Sequence, residues 1–222
     1  QADPEADSAL FSLMLHHDDS HTDTPFPLRT TQQRFTGEEA LLEMVDWHIH
    51  GYMLVRAEVH KRWPYDTTRR LYSDDNTARL HCLHSRHVIL IDGIYYYRQH
   101  EASVTHKAGL RHFDYLRANE SMRRQLIDLG VGDDVLRRYE NQRWLVLVDC
   151  WRFYCIHRQR RTPQDRRVAR AEMKRVWKTI DTTTLEPRNK WKLGYMPLRP
   201  SWRLFCLQEK LYFTLKRWLR RL

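Results

Sequence analysis

Residues 88–97, VILIDGIYYY, restrict the possible folds more than any other stretch of this chain. Two apolar and aromatic runs flank Asp92-Gly93, a dipeptide that tolerates the positive φ of a type I′ turn, so the spacing predicts a β-hairpin. From about residue 107 the pattern changes. Leu110, Phe113 and Leu116, then Met122, Leu126 and Leu129, recur every three to four residues up to a break at Gly130 and Gly132. Trp144, Val148, Trp151 and Cys155 form a second helical stripe, and a third helix is predicted over 164–180 behind Pro163. LEPRNKWKLGYMPLRPS (185–201) reads as a connector, and a last helix opens at about 202. Extended segments followed by helices predict an α+β chain: a small sheet and hairpin portion over 1–106, then a mainly helical region over 107–222.

Within the first half, ALFSLML (9–15) reads as a short strand and HHDDSHTDTPFPLRTTQQ (16–33) as a loop. Thr36 followed three residues later by Glu39 is a capping-box signal for a helix over about 38–46. HGYMLVRAEVHKRW is compatible with strand or helix. A helix is expected from Asp75 to about Arg86, started by a Ser73/Asp74 cap.

Charge divides the chain at the same place. Residues 1–106 hold 10 Lys/Arg against 16 Asp/Glu, a net −6, whereas 107–222 hold 28 against 12, a net +16. A basic half of this strength suits an anionic surface, either lipid headgroups or nucleic acid. No helix-turn-helix, RNP-like or finger signature accompanies it, so no nucleic-acid partner is expected. No stretch approaches the roughly 20 apolar residues of a membrane span, and no basic-then-apolar leader opens the chain, which points to a cytoplasmic protein. Because it begins Gln1-Ala2-Asp3, the expectation is a piece of something longer. Cys82, Cys150, Cys155 and Cys206 are scattered without a C-x-x-C pair, which argues against a zinc module or a disulfide framework.

Two further constellations stand out. His81, His84 and His87 look like metal ligands, but on a helix the i, i+3, i+6 spacing drifts about 60° per step, so three imidazoles would not converge on a tetrahedral centre. The last helix puts Leu204, Leu207, Leu211, Leu215, Trp218 and Leu222 on one face, with Arg203, Lys210, Arg217 and Arg221 on a flank about 100° away. Such a helix either docks on the protein core or lies in an anionic membrane interface as a peripheral anchor.

Gly51-Tyr52, Arg56, the pair Asp74-Asp75, the run Val88 to Tyr97 ending at Arg98, and Ser103-Val104-Thr105-His106 follow one another over residues 35–106. In that order and spacing they resemble family 2 inverting glycosyltransferases of bacterial surface-polysaccharide clusters, of the GT-A type. The resemblance implies the acceptor half of such an enzyme, which moves a sugar from a nucleotide-sugar donor to a glycan or lipid-linked acceptor. It implies Asp75 as general base, with Asp74, Arg79, Tyr52, Arg56 and Arg98 lining the site, and His106 approaching the metal-diphosphate. The family's nucleotide-binding βαβ region and the Asp-x-Asp that holds Mg²⁺ or Mn²⁺ have no counterpart in residues 1–35. The expectation is therefore that donor and metal bind through a separate half of the enzyme, and that this chain alone carries no metal and is inactive. An alternative reading is a non-catalytic basic module that binds anionic membrane or nucleic acid. Arg79, one turn beyond Asp75, is expected to keep that carboxylate ionised.

Overall fold

A computed structural model describes residues 3–18, 20–67, 72–99 and 109–219. The chain is α+β, and it divides into two compact units, 1–107 and 108–222.

Unit one is built on a sheet of five strands: β1 (Ala6–His17), β2 (Thr22–Phe26), β3 (Arg34–Thr36), β4 (Met53–Val55) and β5 (His87–Gln99). β1 lies in the middle. β5 runs parallel to it on one side, and β2 and β4 pair antiparallel with successive stretches of its other edge. β3 closes the far edge of β5. β1 is longer than the predicted strand, and its partner β2 falls within the predicted loop.

The expected hairpin at Asp92-Gly93 does not form, because β5 is one continuous strand. Between the pairs Leu10↔Leu90 and Ser12↔Ile94, β1 spends one residue where β5 spends three. The Asp-Gly dipeptide therefore lies in a bulge rather than a turn. Gly93 is needed there for space: a Cβ on it would stand 2.9 Å from the ring of Phe11. A glycine that reads as a turn residue can equally mark close approach inside a strand, and here the long parallel pairing with β1 decided between them.

Helices α1 (Gly37–Val45) and α3 (Ser73–Leu83) pack together over this sheet, with the short α2 (Ala57–Arg62) between them in sequence. Leu10, Phe35 and Val88 of the sheet meet Ala40, Met44, Ile49 and Cys82 in a closed apolar core. The capping box forms as the sequence predicts: the Glu39 amide donates to Thr36 Oγ1 at 3.3 Å, and the Thr36 amide donates to Glu39 Oε2 at 2.8 Å. Gly37 begins α1 where its α-carbon meets the end of α3, so that a Cβ would stand 2.5 Å from the carbonyl oxygens of Leu83 and Ser85.

Unit two contains α4 (Asp114–Asp128), α5 (Asp133–His157), α6 (Pro163–Thr179), the single-turn α7 (Pro187–Lys190) and α8 (Trp202–Leu219). Gly130, at φ +67°, takes the left-handed conformation that ends α4. The core is aromatic: Trp144 and Trp151 of α5, Trp177 of α6 and Phe205 of α8 pack edge to face or tilted. The indole N–H of Trp144 donates to the Tyr195 carbonyl and that of Trp177 to the Pro197 carbonyl, so the connector is tied to the core by the polar ends of tryptophans of α5 and α6.

Candidate functional site

α3 begins at Ser73, one residue after Tyr72, whose backbone lies in the left-handed region at φ 69°. No side-chain cap is made by the residue before the helix, in contrast to the predicted Ser73/Asp74 cap, and Asp74 and Asp75 stand instead in the first turn. There the unsatisfied amides and the helix dipole favour negative charge. Asp74 is exposed and Asp75 is half-buried.

Burial raises the Asp75 carboxyl to about 6, with Arg79 one turn on opposing the rise and Asp74 adding to it. The expectation that Arg79 dominates is therefore corrected: desolvation outweighs the cation. Arg79 is almost fully buried and lies 5.7 Å from the ring centroid of Trp47. A carboxyl at about 6 is still mostly ionised at neutral pH, and it holds a proton far more readily than an exposed aspartate does.

A cluster of phenols stands near Asp74. Tyr52 stacks on Tyr95 at 4.8 Å and meets Tyr97 at 5.4 Å. Its hydroxyl is pushed above the usual phenol range by burial first, then by the neighbouring Tyr97 and Tyr95 hydroxyls and by the Asp74 carboxylate. The Tyr52 phenol therefore stays protonated and can donate a hydrogen bond. His50, fully buried, accepts the Tyr52 amide on Nδ1 at 3.2 Å, and burial lowers its pKa to about 4, so it is neutral. Tyr95, Tyr97 and His50 were not singled out from sequence. The signal for the two tyrosines was the period-two alternation of a strand, which puts both on one face of β5.

Arg56 and Arg98 are held in other ion pairs. Arg56 binds Asp7 at 3.1 Å and the carbonyls of Pro4 and Ala6, next to the bidentate Asp7–Arg86 pair. Arg98 follows Tyr97 in β5 and binds Asp18 at 2.7 Å beside the β1–β2 turn. His106 lies outside the described residues. The three histidines of HCLHSRH separate: His81 meets the Trp63 carbonyl at 2.7 Å, His84 stacks on the Trp63 ring at 4.0 Å, and His87 enters β5. Among the described residues no group of three or more His, Cys, Asp or Glu is placed to hold a metal ion.

The chain matches no family model, no curated protein and no solved structure in comparisons with each.

Proposed function

We propose that unit one is the acceptor side of a glycosyltransferase that moves a sugar from a nucleotide-sugar to a glycan or lipid-linked hydroxyl, with Asp75 as the general base. The observation that carries this reading is the Asp75 carboxyl: it is held in the first turn of α3, raised to about 6 by burial and faced by Arg79. A base works best when its pKa approaches the working pH while it remains ionised, and an exposed aspartate is too weak a base for that. In the reaction the Asp75 carboxylate takes the proton of the acceptor hydroxyl as its oxygen bonds to the anomeric carbon. The bond from that carbon to the nucleotide diphosphate breaks, and the diphosphate leaves with the electron pair. The resemblance assigns donor and divalent cation to a half of the enzyme that lies outside this chain. The phenols of Tyr52, Tyr95 and Tyr97 support the same reading, because a sugar ring is apolar on its faces and polar at its rim, and tyrosine offers both an aromatic face and a hydroxyl.

The test is turnover in the full-length polypeptide that carries this stretch. Asp75→Asn is expected to lower the rate roughly 10²–10⁴-fold, the usual worth of a positioned acid–base group, with the thermal melt little changed. Asp74→Asn, exposed in the same turn, should cost far less. Near-wild-type turnover of a folded Asp75→Asn enzyme removes the base assignment.

A further inference from the structure

We infer that the outer face of α8, together with the neighbouring edge of α6, is a docking surface for an anionic lipid bilayer. α8 is held to its own unit by Phe205, Glu209 and Phe213, which are buried. The leucine face that the sequence singles out is not the docked face: Leu204, Leu207, Leu211, Leu215 and Trp218 are 50–61 % exposed, Leu219 beside them is 63 % exposed, and Leu222 and Arg221 lie outside the described residues. A continuous apolar ridge of five leucines and a tryptophan along about four turns of helix is far more than the scattered exposed leucines of an ordinary surface.

What borders the ridge identifies its occupant. Arg203, Lys210 and Arg217 lie on a flank about 100° round the helix, and all three are exposed. On that side α8 meets α6: Arg203 lines one open groove of about 650 Å³ with Arg167, Lys174 and Lys178, and Arg170 lies against Cys206. None of Arg167, Lys174, Lys178 and Arg203 forms an ion pair with a carboxylate among the described residues. The acids that could neutralise this edge are engaged elsewhere. Glu172 binds Arg117 and Arg175, Asp165 binds Thr162 at the start of α6, and Glu209, the one carboxylate of α8, is buried.

An apolar ridge that ends in a tryptophan and is edged by unneutralised cations from two helices is complementary to the boundary between acyl chains and anionic headgroups. A nucleic acid would use the cations and leave the leucines in water. No helix among the described residues is long and apolar enough to cross a membrane, so the arrangement is one that lies on a surface. This inference rests on unit two alone and does not depend on Asp75.

The test is co-sedimentation of the full chain with phosphatidylglycerol vesicles and with neutral phosphatidylcholine vesicles. Binding is expected to the anionic vesicles, weaker as salt is raised. The triple variant Leu207→Ser, Leu211→Ser, Leu215→Ser and the triple variant Lys174→Ala, Lys178→Ala, Arg203→Ala should each weaken it at least tenfold. Both change exposed positions only, and matched circular-dichroism melts verify the fold. Equal binding to both vesicle types, or an unaffected serine variant, overturns the inference. So does wild-type self-association by light scattering that the serine variant abolishes while vesicle binding persists, which would give the ridge to a second copy. Binding to single-stranded RNA that is tighter than vesicle binding and survives the serine substitutions would give the cations to a nucleic acid instead, and equally overturns it.

Discussion

Asp75 and Glu209 are both carboxyl groups that burial makes reluctant to ionise, and they differ in what stands beside them. Arg79 opposes the rise at Asp75 and leaves it at about 6, whereas Glu209 has only the Gln208 amide as a hydrogen-bond donor and rises to about 9. The consequences have opposite uses. If Asp75 is the base of a transferase, it must be unprotonated to act, so kcat/KM of the full-length enzyme should fall on the acid side through about pH 6. A profile flat down to the ordinary aspartate range would remove Asp75 from the rate. Glu209 is a cost to the fold. Its folded-state pKa lies above its ordinary value of 4.5, so the folded chain holds the proton more tightly; that stability is complete below the ordinary value and is lost as pH rises towards about 9. Glu209→Gln, the nearest uncharged mimic of the protonated acid, should therefore raise the melting temperature of the chain at about pH 8 and by clearly less at about pH 5. Equal shifts at the two pH values would mean that Glu209 is not protonated in the fold. The i, i+4 spacing of Asp75 and Arg79 is legible in the sequence, and the desolvation that outweighs it is not, because burial is set by what packs above α3.

At the scale of elements, the start of α1 combines a local signal with a non-local one. The capping box is written in four residues, and Thr36→Ala should cost roughly 1 kcal/mol, the usual worth of a cap. Gly37 next to it carries no such local meaning. Its Cβ would meet two carbonyl oxygens at 2.5 Å, and backbone cannot rotate away as a side-chain tip can. Gly37→Ala should therefore cost at least about 3 kcal/mol, the upper part of the range for overpacking, even though alanine is the better helix former. Chemical denaturation of both variants compares the two, and a Gly37→Ala loss no larger than that of Thr36→Ala would mean the α1–α3 approach is looser than described. β5 teaches the same lesson. Asp92-Gly93 satisfies every local requirement of a turn, yet the residues on both sides pair in parallel with β1, a strand more than seventy residues earlier.

For the whole molecule, the division near residue 107 has two independent markers: the change of charge sign in the sequence, and the separation of two apolar cores in the structure. Each core closes within its own unit, one over the sheet and one around the tryptophans of α5, α6 and α8. Polypeptides 1–107 and 108–222, made separately, should thus each unfold cooperatively, with far-ultraviolet circular dichroism spectra that sum to that of the intact chain. If either piece is unfolded alone, its core depends on the other unit.

The sequence by itself determined the α+β class, the place where charge and structure change, the capping box at Thr36 and Glu39, and the last helix from 202, because each rests on propensity or on spacing within one or two turns of chain. It singled out Asp75, Arg79 and Tyr52 but not Tyr95 and Tyr97, which reach Tyr52 only through the pairing of β5 with β1 and of β4 with β1, nor His50, which is local to Tyr52 but owes its burial to tertiary packing. The sequence of α8 also leaves two apolar stripes, one of leucines and one of aromatic residues, and periodicity cannot rank them. The tertiary structure chose the aromatic stripe, where Phe205 and Phe213 bury large rings among Trp144, Trp151 and Trp177, and it left the leucines outside. That choice depends on the shape of a pocket assembled from three other segments of the chain, and no local pattern encodes it.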